Sequence, residues 1–90
     1  MTAPQKETLE TLRAFSSNTS ERDISKIFGS PVKSDFNKTT ISWELSQEGK
    51  TTRVKAYFLT GDLNKIQFIS LEPFWGYTLY YSENGVKNEI

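Results

Sequence analysis

From Lys6 to about Ser16 the apolar residues Leu9, Leu12 and Phe15 recur at helical spacing, with Glu7, Glu10 and Arg13 between them. The spacing predicts a helix over 6–16, and Glu7 in its first turn suits the positive end of the helix dipole. Residues 1–5 read as a tail. The polar run from Ser16 to Ser20 interrupts the pattern. It then supplies the start of a second helix, predicted over 20–28. Thr19 or Ser20 serves as N-cap, and Asp23 stands three residues after Ser20 in a variant of the capping box. Ile24, Ile27 and Phe28 are expected to form the apolar face of this helix. Gly29 stands where a left-handed C-cap residue is expected, and Pro31 prevents the helix from resuming.

Beyond Pro31 there is a gap, and then the period changes from helical to two. Ile41, Trp43 and Leu45 alternate with Ser42, Glu44 and Ser46, which predicts a strand over 40–46. Val54, Ala56 and Phe58 alternate with Arg53, Lys55 and Tyr57 over 52–59. Ile66 and Phe68 alternate with Lys65, Gln67 and Ile69 over 63–70. Residues 78–82 read as a further strand. The Asn84-Gly85 pair is a turn signal, leaving a short return segment of Val86 to Ile90. One face of each strand is apolar and the other largely polar, as in an antiparallel sheet covered on one side. The expected fold is α+β: two N-terminal helices packed on the Trp43, Val54, Phe58 and Phe68 face of a three- or four-stranded antiparallel meander. No repeat, low-complexity tract or linker divides the 90 residues, so one domain is expected.

Composition narrows the chemistry. There is no cysteine and no histidine. That removes disulfides, thiolate nucleophiles, the commonest general base and the commonest transition-metal ligands. An enzyme would need paired carboxylates, a lysine, or a serine or threonine with an unusual base. Asp35, Asp62, Glu72 and Glu83 fall in predicted loops or turns, where acids are ordinarily solvated. Neither a Gly-rich phosphate cradle nor calcium-loop spacing is present. The expectation is no catalysis, no cofactor and no metal. No apolar run approaches the ~18 residues of a membrane span. The first ten residues lack the apolar core of a signal peptide. The compartment stays open: cytoplasmic if the chain is complete, cell envelope or secreted if a leader has been removed.

Eleven basic residues balance eleven acidic ones. Zero formal charge disfavours a partner held by bulk electrostatics, whether nucleic acid or anionic membrane. Two candidate surfaces follow. The first is the ring-rich segment holding Phe74, Trp75, Tyr77, Tyr80 and Tyr81. Phe15, Phe28, Trp43, Phe58 and Phe68 already supply a core, so some of these five rings should face outward. Exposed aromatic residues are the composition of protein-binding hot spots. The opposing reading is that Trp75 folds back to plug the open end of the sheet. The second surface is Arg53, Lys55, Tyr57 and Lys65 on the polar sheet face, where some RNA-binding modules stack bases on rings among basic residues. Its ordinary counterpart is a solvated face with cross-strand pairs such as Glu44 with Arg53 or Lys55. The favoured partner is another protein, a second copy of the chain included. The sequons at Asn18 and Asn37 matter only in a eukaryotic secretory pathway.

The order of capped helix, "IFGSP" step, tryptophan strand, hairpin and "VKAYFL" strand resembles a known pattern. Residues 19–69 are similar to the small two-helix, three-strand domain of the outer-membrane β-barrel assembly lipoprotein, and to one repeat of β-lactamase inhibitor protein. The matching residues are Thr19, Ile24, Ile27, Phe28, Gly29, Pro31, Trp43, Val54, Phe58, Leu63 and Ile66. The resemblance implies a non-enzymatic domain that works by protein–protein contact, in bacterial envelope or secreted proteins. The chain has no cysteine for lipid attachment, and the segment after Ile69 has no counterpart in the pattern. The matching positions are structural, so no partner-contacting residue is carried over.

Overall fold

Ser20 starts the better-defined of the two helices. Its hydroxyl accepts the Asp23 amide at 3.1 Å, and the Asp23 carboxylate accepts the Ser20 amide at 3.2 Å. This reciprocal box opens α2 (Glu21–Phe28), and α1 spans Lys6–Arg13. The structure is a computed structural model and describes residues 6–35, 37, 39–47, 49–72 and 77–90. At the end of α2 the Gly29 amide returns to the Ser25 carbonyl at 2.8 Å, with φ 91° and ψ −164°. That conformation is a positive-φ, glycine-permissive one, but not the left-handed helical cap.

Six strands follow: β1 (Lys33–Asp35), β2 (Thr40–Gln47), β3 (Lys50–Leu59), β4 (Asp62–Glu72), β5 (Tyr77–Ser82) and β6 (Gly85–Glu89). They form one antiparallel sheet in chain order, each strand beside the next. The fold is therefore α+β with an antiparallel meander, but of six strands rather than three or four. The two extra strands lie at the edges. β1 has only three residues and makes up its pattern by pairing with β2, and β6 is the short return segment after β5. Neither edge shows a strong alternation of its own. The last turn is also displaced by one residue. Ser82 pairs with Gly85, so Glu83 and Asn84 form the turn and Gly85 opens β6.

Both helices lie on the Trp43 side of the sheet. Leu9, Leu12, Phe15 and Ile24 join Ile41, Trp43, Val54, Ala56, Phe58, Ile66, Ile69, Leu71, Leu79 and Tyr81 in one core. Trp43 is fully buried, and its indole N–H donates to Ser25 Oγ at 3.3 Å, joining β2 to α2. Ile27 departs from the expected helix face. It is 55% exposed while Ile24 is buried and Phe28 is half-buried. A two-turn helix on a sheet buries a narrow stripe, and Ile27 lies beside it.

The largest correction concerns β4. Phe58 pairs with Ile66, and the next pair is Tyr57 with Phe68. Gln67 is thus an extra residue, a β-bulge in the middle of the strand. A bulge advances the alternation by one. Ile66 faces the core, Phe68 takes the open face, and Ile69 and Leu71 return to the core, both fully buried. Phe68 was expected inside and Ile69 outside. The hydrophobic effect settles their places through the bulge, because two branched aliphatic residues and Ile66 share the interior at the expense of one aromatic ring.

Candidate functional site

The face of the sheet without helices carries two neighbouring features. The first is a row of rings. Cross-strand register aligns Thr40, Tyr57, Phe68, Tyr80 and Asn88 across β2 to β6. Tyr57 and Phe68 stack with centroids 4.3 Å apart and planes 20° from parallel, and Phe68 lies 5.4 Å from Tyr80 at 42°. The first spacing is close to the ~4.8 Å between strands. Rings lying flat on the sheet side by side could not approach so closely. Tyr57 and Phe68 therefore stand upright and cover one another's faces. The Lys55 ammonium lies 5.6 Å from the centroid of Tyr57, a cation–π contact. The three rings, all half-buried, make an apolar ridge whose edges meet solvent.

The second feature is a cleft of about 290 Å³ beside the ridge, lined by Lys33, Asp35, Thr40, Ser42, Arg53, Lys55 and Tyr57. Register sets Lys33 and Lys55 directly opposite Ser42 on the flanking strands. Arg53 is committed within the protein: its guanidinium donates to Glu44 at 2.8 Å. That hydrogen bond, then the Glu44 charge and the more distant charge of Glu72, hold the Arg53 pKa above its ordinary value. Neither Lys33 nor Lys55 is in an ion pair with another described residue.

The sequence-derived candidates are divided by this arrangement. Of the five rings in the aromatic segment, Tyr80 stands on the open face. Tyr81 is buried and its hydroxyl donates to the Leu12 carbonyl at 2.8 Å, with its ring beside Phe15. Burial raises the Tyr81 pKa above its usual value, so the phenol stays a neutral donor. It closes the core and cannot meet a partner. Tyr77 packs against the core from the rim and donates to Glu89 Oε2 at 3.3 Å. Phe74 and Trp75 lie outside the described residues. In the basic set, Arg53, Lys55 and Tyr57 come together at the cleft. Lys65 does not join them, since its ammonium donates to Asn18 Oδ1 at 2.6 Å. Phe68, Lys33 and Ser42 belong to the open face and were missed. The bulge concealed Phe68, while Lys33 and Ser42 needed the register of β1.

Among the described residues no group of three or more acidic side chains is placed to hold a metal ion, and no helix is long and apolar enough to cross a membrane. No protein-family model, curated protein or solved structure matches the chain at a significant level.

Proposed function

We propose that the chain is a non-catalytic protein-interaction module whose contact surface is the open face of the sheet, centred on Tyr57, Phe68 and Tyr80. The observation that carries this reading is the ring row itself. Three aromatic residues from three successive strands form one apolar ridge on the side that neither helix covers. Aromatic side chains offer large contact area at small entropic cost and are over-represented among binding hot spots. The resemblance of residues 19–69 to a lipoprotein domain and an inhibitor repeat points the same way.

The nucleic-acid alternative has less support. A base stacks on a free ring face, and the facing sides of Tyr57 and Phe68 are occupied by each other. Arg53 is held by Glu44, and Lys65 is held away by Asn18. A protein surface can use ring edges and the groove beside them, whereas a base cannot intercalate without breaking the stack.

The test uses Tyr57→Ser and Phe68→Ser in the full chain, with folding checked by circular dichroism. Wild type immobilised in extract of the source organism is expected to retain a polypeptide that both variants lose, and to retain it in 0.5 M salt. Sedimentation equilibrium of wild type and variants separates self-association from a different partner. Folded variants that keep every bound protein would overturn the reading. So would retention of nucleic acid alone, lost as salt rises.

A further inference from the structure

We infer that the cleft between β1, β2 and β3 is a binding site for a small oxyanion, a carboxylate or phosphate group, seated between Lys33 and Lys55 over the Ser42 hydroxyl. Three observations converge. Lys33, Ser42 and Lys55 form one cross-strand row, so the two ammonium groups rise from strands on either side of the serine. Their strands are separated by about 10 Å, twice the inter-strand spacing, and both side chains line the same cavity. Two like charges that share a cleft repel each other, and an anion between them converts that repulsion into two attractions.

The second observation is Ser42. It is only 3% exposed, and its side chain lines the floor of the cleft between the two lysines. Here the hydroxyl lines the cleft, where it can donate to an oxyanion from below while the lysines donate from the sides. The third is size. At about 290 Å³ the cleft lies just below the roughly 300–1,000 Å³ range of drug-sized ligand sites, a size suited to a small group. The Asp35 carboxylate lines the same cleft and Arg53 is paired with Glu44, so the net positive charge is small and the site favours one anionic group over an extended polyanion. The inference is independent of any protein partner on the ring row.

The test is an amide NMR titration of the uniformly labelled full chain with inorganic phosphate and, separately, with glutarate. Ionic strength is held constant with sodium chloride, so that screening does not change along the titration. Saturable shifts centred on Ser42, Lys33 and Lys55 are expected in the millimolar range for at least one of the two anions. Phosphate alone would define a phosphate-bearing ligand, glutarate alone a carboxylate, and both a general oxyanion site. Lys33→Gln and Lys55→Gln should each weaken the response about tenfold, as expected for one lost charge-assisted contact. Ser42→Ala should weaken it less, and Lys65→Gln, outside the cleft, not at all. Shifts that fail to saturate with either anion overturn the inference. So do shifts that survive both lysine substitutions, or that fall equally in Lys65→Gln.

Discussion

Tyr57 and Phe68 stack across the β3–β4 ladder with ring centres 4.3 Å apart, and the residue that follows Phe68 faces the opposite side of the sheet. Phe68 and Ile69 are therefore chain neighbours with different duties. Phe68→Thr keeps a strand-forming residue and removes one member of a half-buried stack, which costs about 1 kcal/mol. Ile69→Ala leaves a cavity in a fully buried site and should cost about 2–5 kcal/mol. Thermal or urea melts of the two variants check this order. Equal costs, or the reverse order, would place Phe68 in the core and remove the ring ridge from the open face.

The Gln67 bulge makes a second prediction. Deleting one residue from the interior of a regular strand sends every later side chain to the wrong face. Gln67 is already the surplus residue: Ile66 pairs with Phe58 and Phe68 with Tyr57, with nothing opposite Gln67. Its deletion restores simple alternation and leaves Ile66, Ile69 and Leu71 inside. The deletion variant should keep a cooperative melt and the near-ultraviolet signal of packed rings. Deletion of Ser70, two pairs further along and opposite Lys55, should abolish both.

These two predictions also mark how far the sequence could be read. The α2 cap, its glycine stop and the alternation in β2 and β3 are local signals, each decided by a few neighbouring residues. They could be seen in the chain because the physics that fixes them acts within one turn or one strand. The open-face site depends on cross-strand register and on a bulge, which are properties of paired strands. Tyr80 and Tyr81 could be assigned to opposite faces by alternation, but which of them was buried depended on where α1 lay. Lys33 and Ser42 sit 9 positions apart in the chain, and only the β1–β2 pairing brings them together.

Gly29 tests the end of α2. A Cβ built there meets no atom within 4 Å, so any cost of substitution is conformational and not steric. At φ 91° and ψ −164° the backbone lies in a region that side chains disfavour. Gly29→Ala and Gly29→Val should each destabilise by about 1–3 kcal/mol, with a small gap between them. A harmless alanine with a damaging valine would instead mean crowding. Chemical denaturation of the pair decides between the two causes.

Arg13 and Glu89 close the fold end to end. The guanidinium at the end of α1 meets the carboxylate of β6 through two bonds of 2.6 and 3.0 Å, across 76 positions of sequence. The hydrogen bond from Arg13 is the main cause that holds the Glu89 carboxyl below its usual range, with the Arg13 charge and Tyr77 acting the same way and partial burial opposing. A carboxyl with a lower pKa in the folded chain than in the unfolded chain stabilises folding while it is ionised. Its contribution is complete above the unfolded value of about 4.3 and is lost as pH falls through the folded value. Arg13 is shifted upward by the same pair and stays charged throughout, so the loss follows Glu89 alone. Asp23, lowered chiefly by its hydrogen bond with the Ser20 backbone, titrates in the same direction and sets the background. Glu89→Gln should therefore melt a few degrees below wild type at pH 7, and the two curves should converge as pH falls below the folded value of Glu89. High salt at pH 7 should narrow the gap, because both partners are partly exposed and the pair is screened. A gap that persists unchanged at low pH would mean that the glutamine disrupts the packing of β6 and that the ion pair itself contributes little.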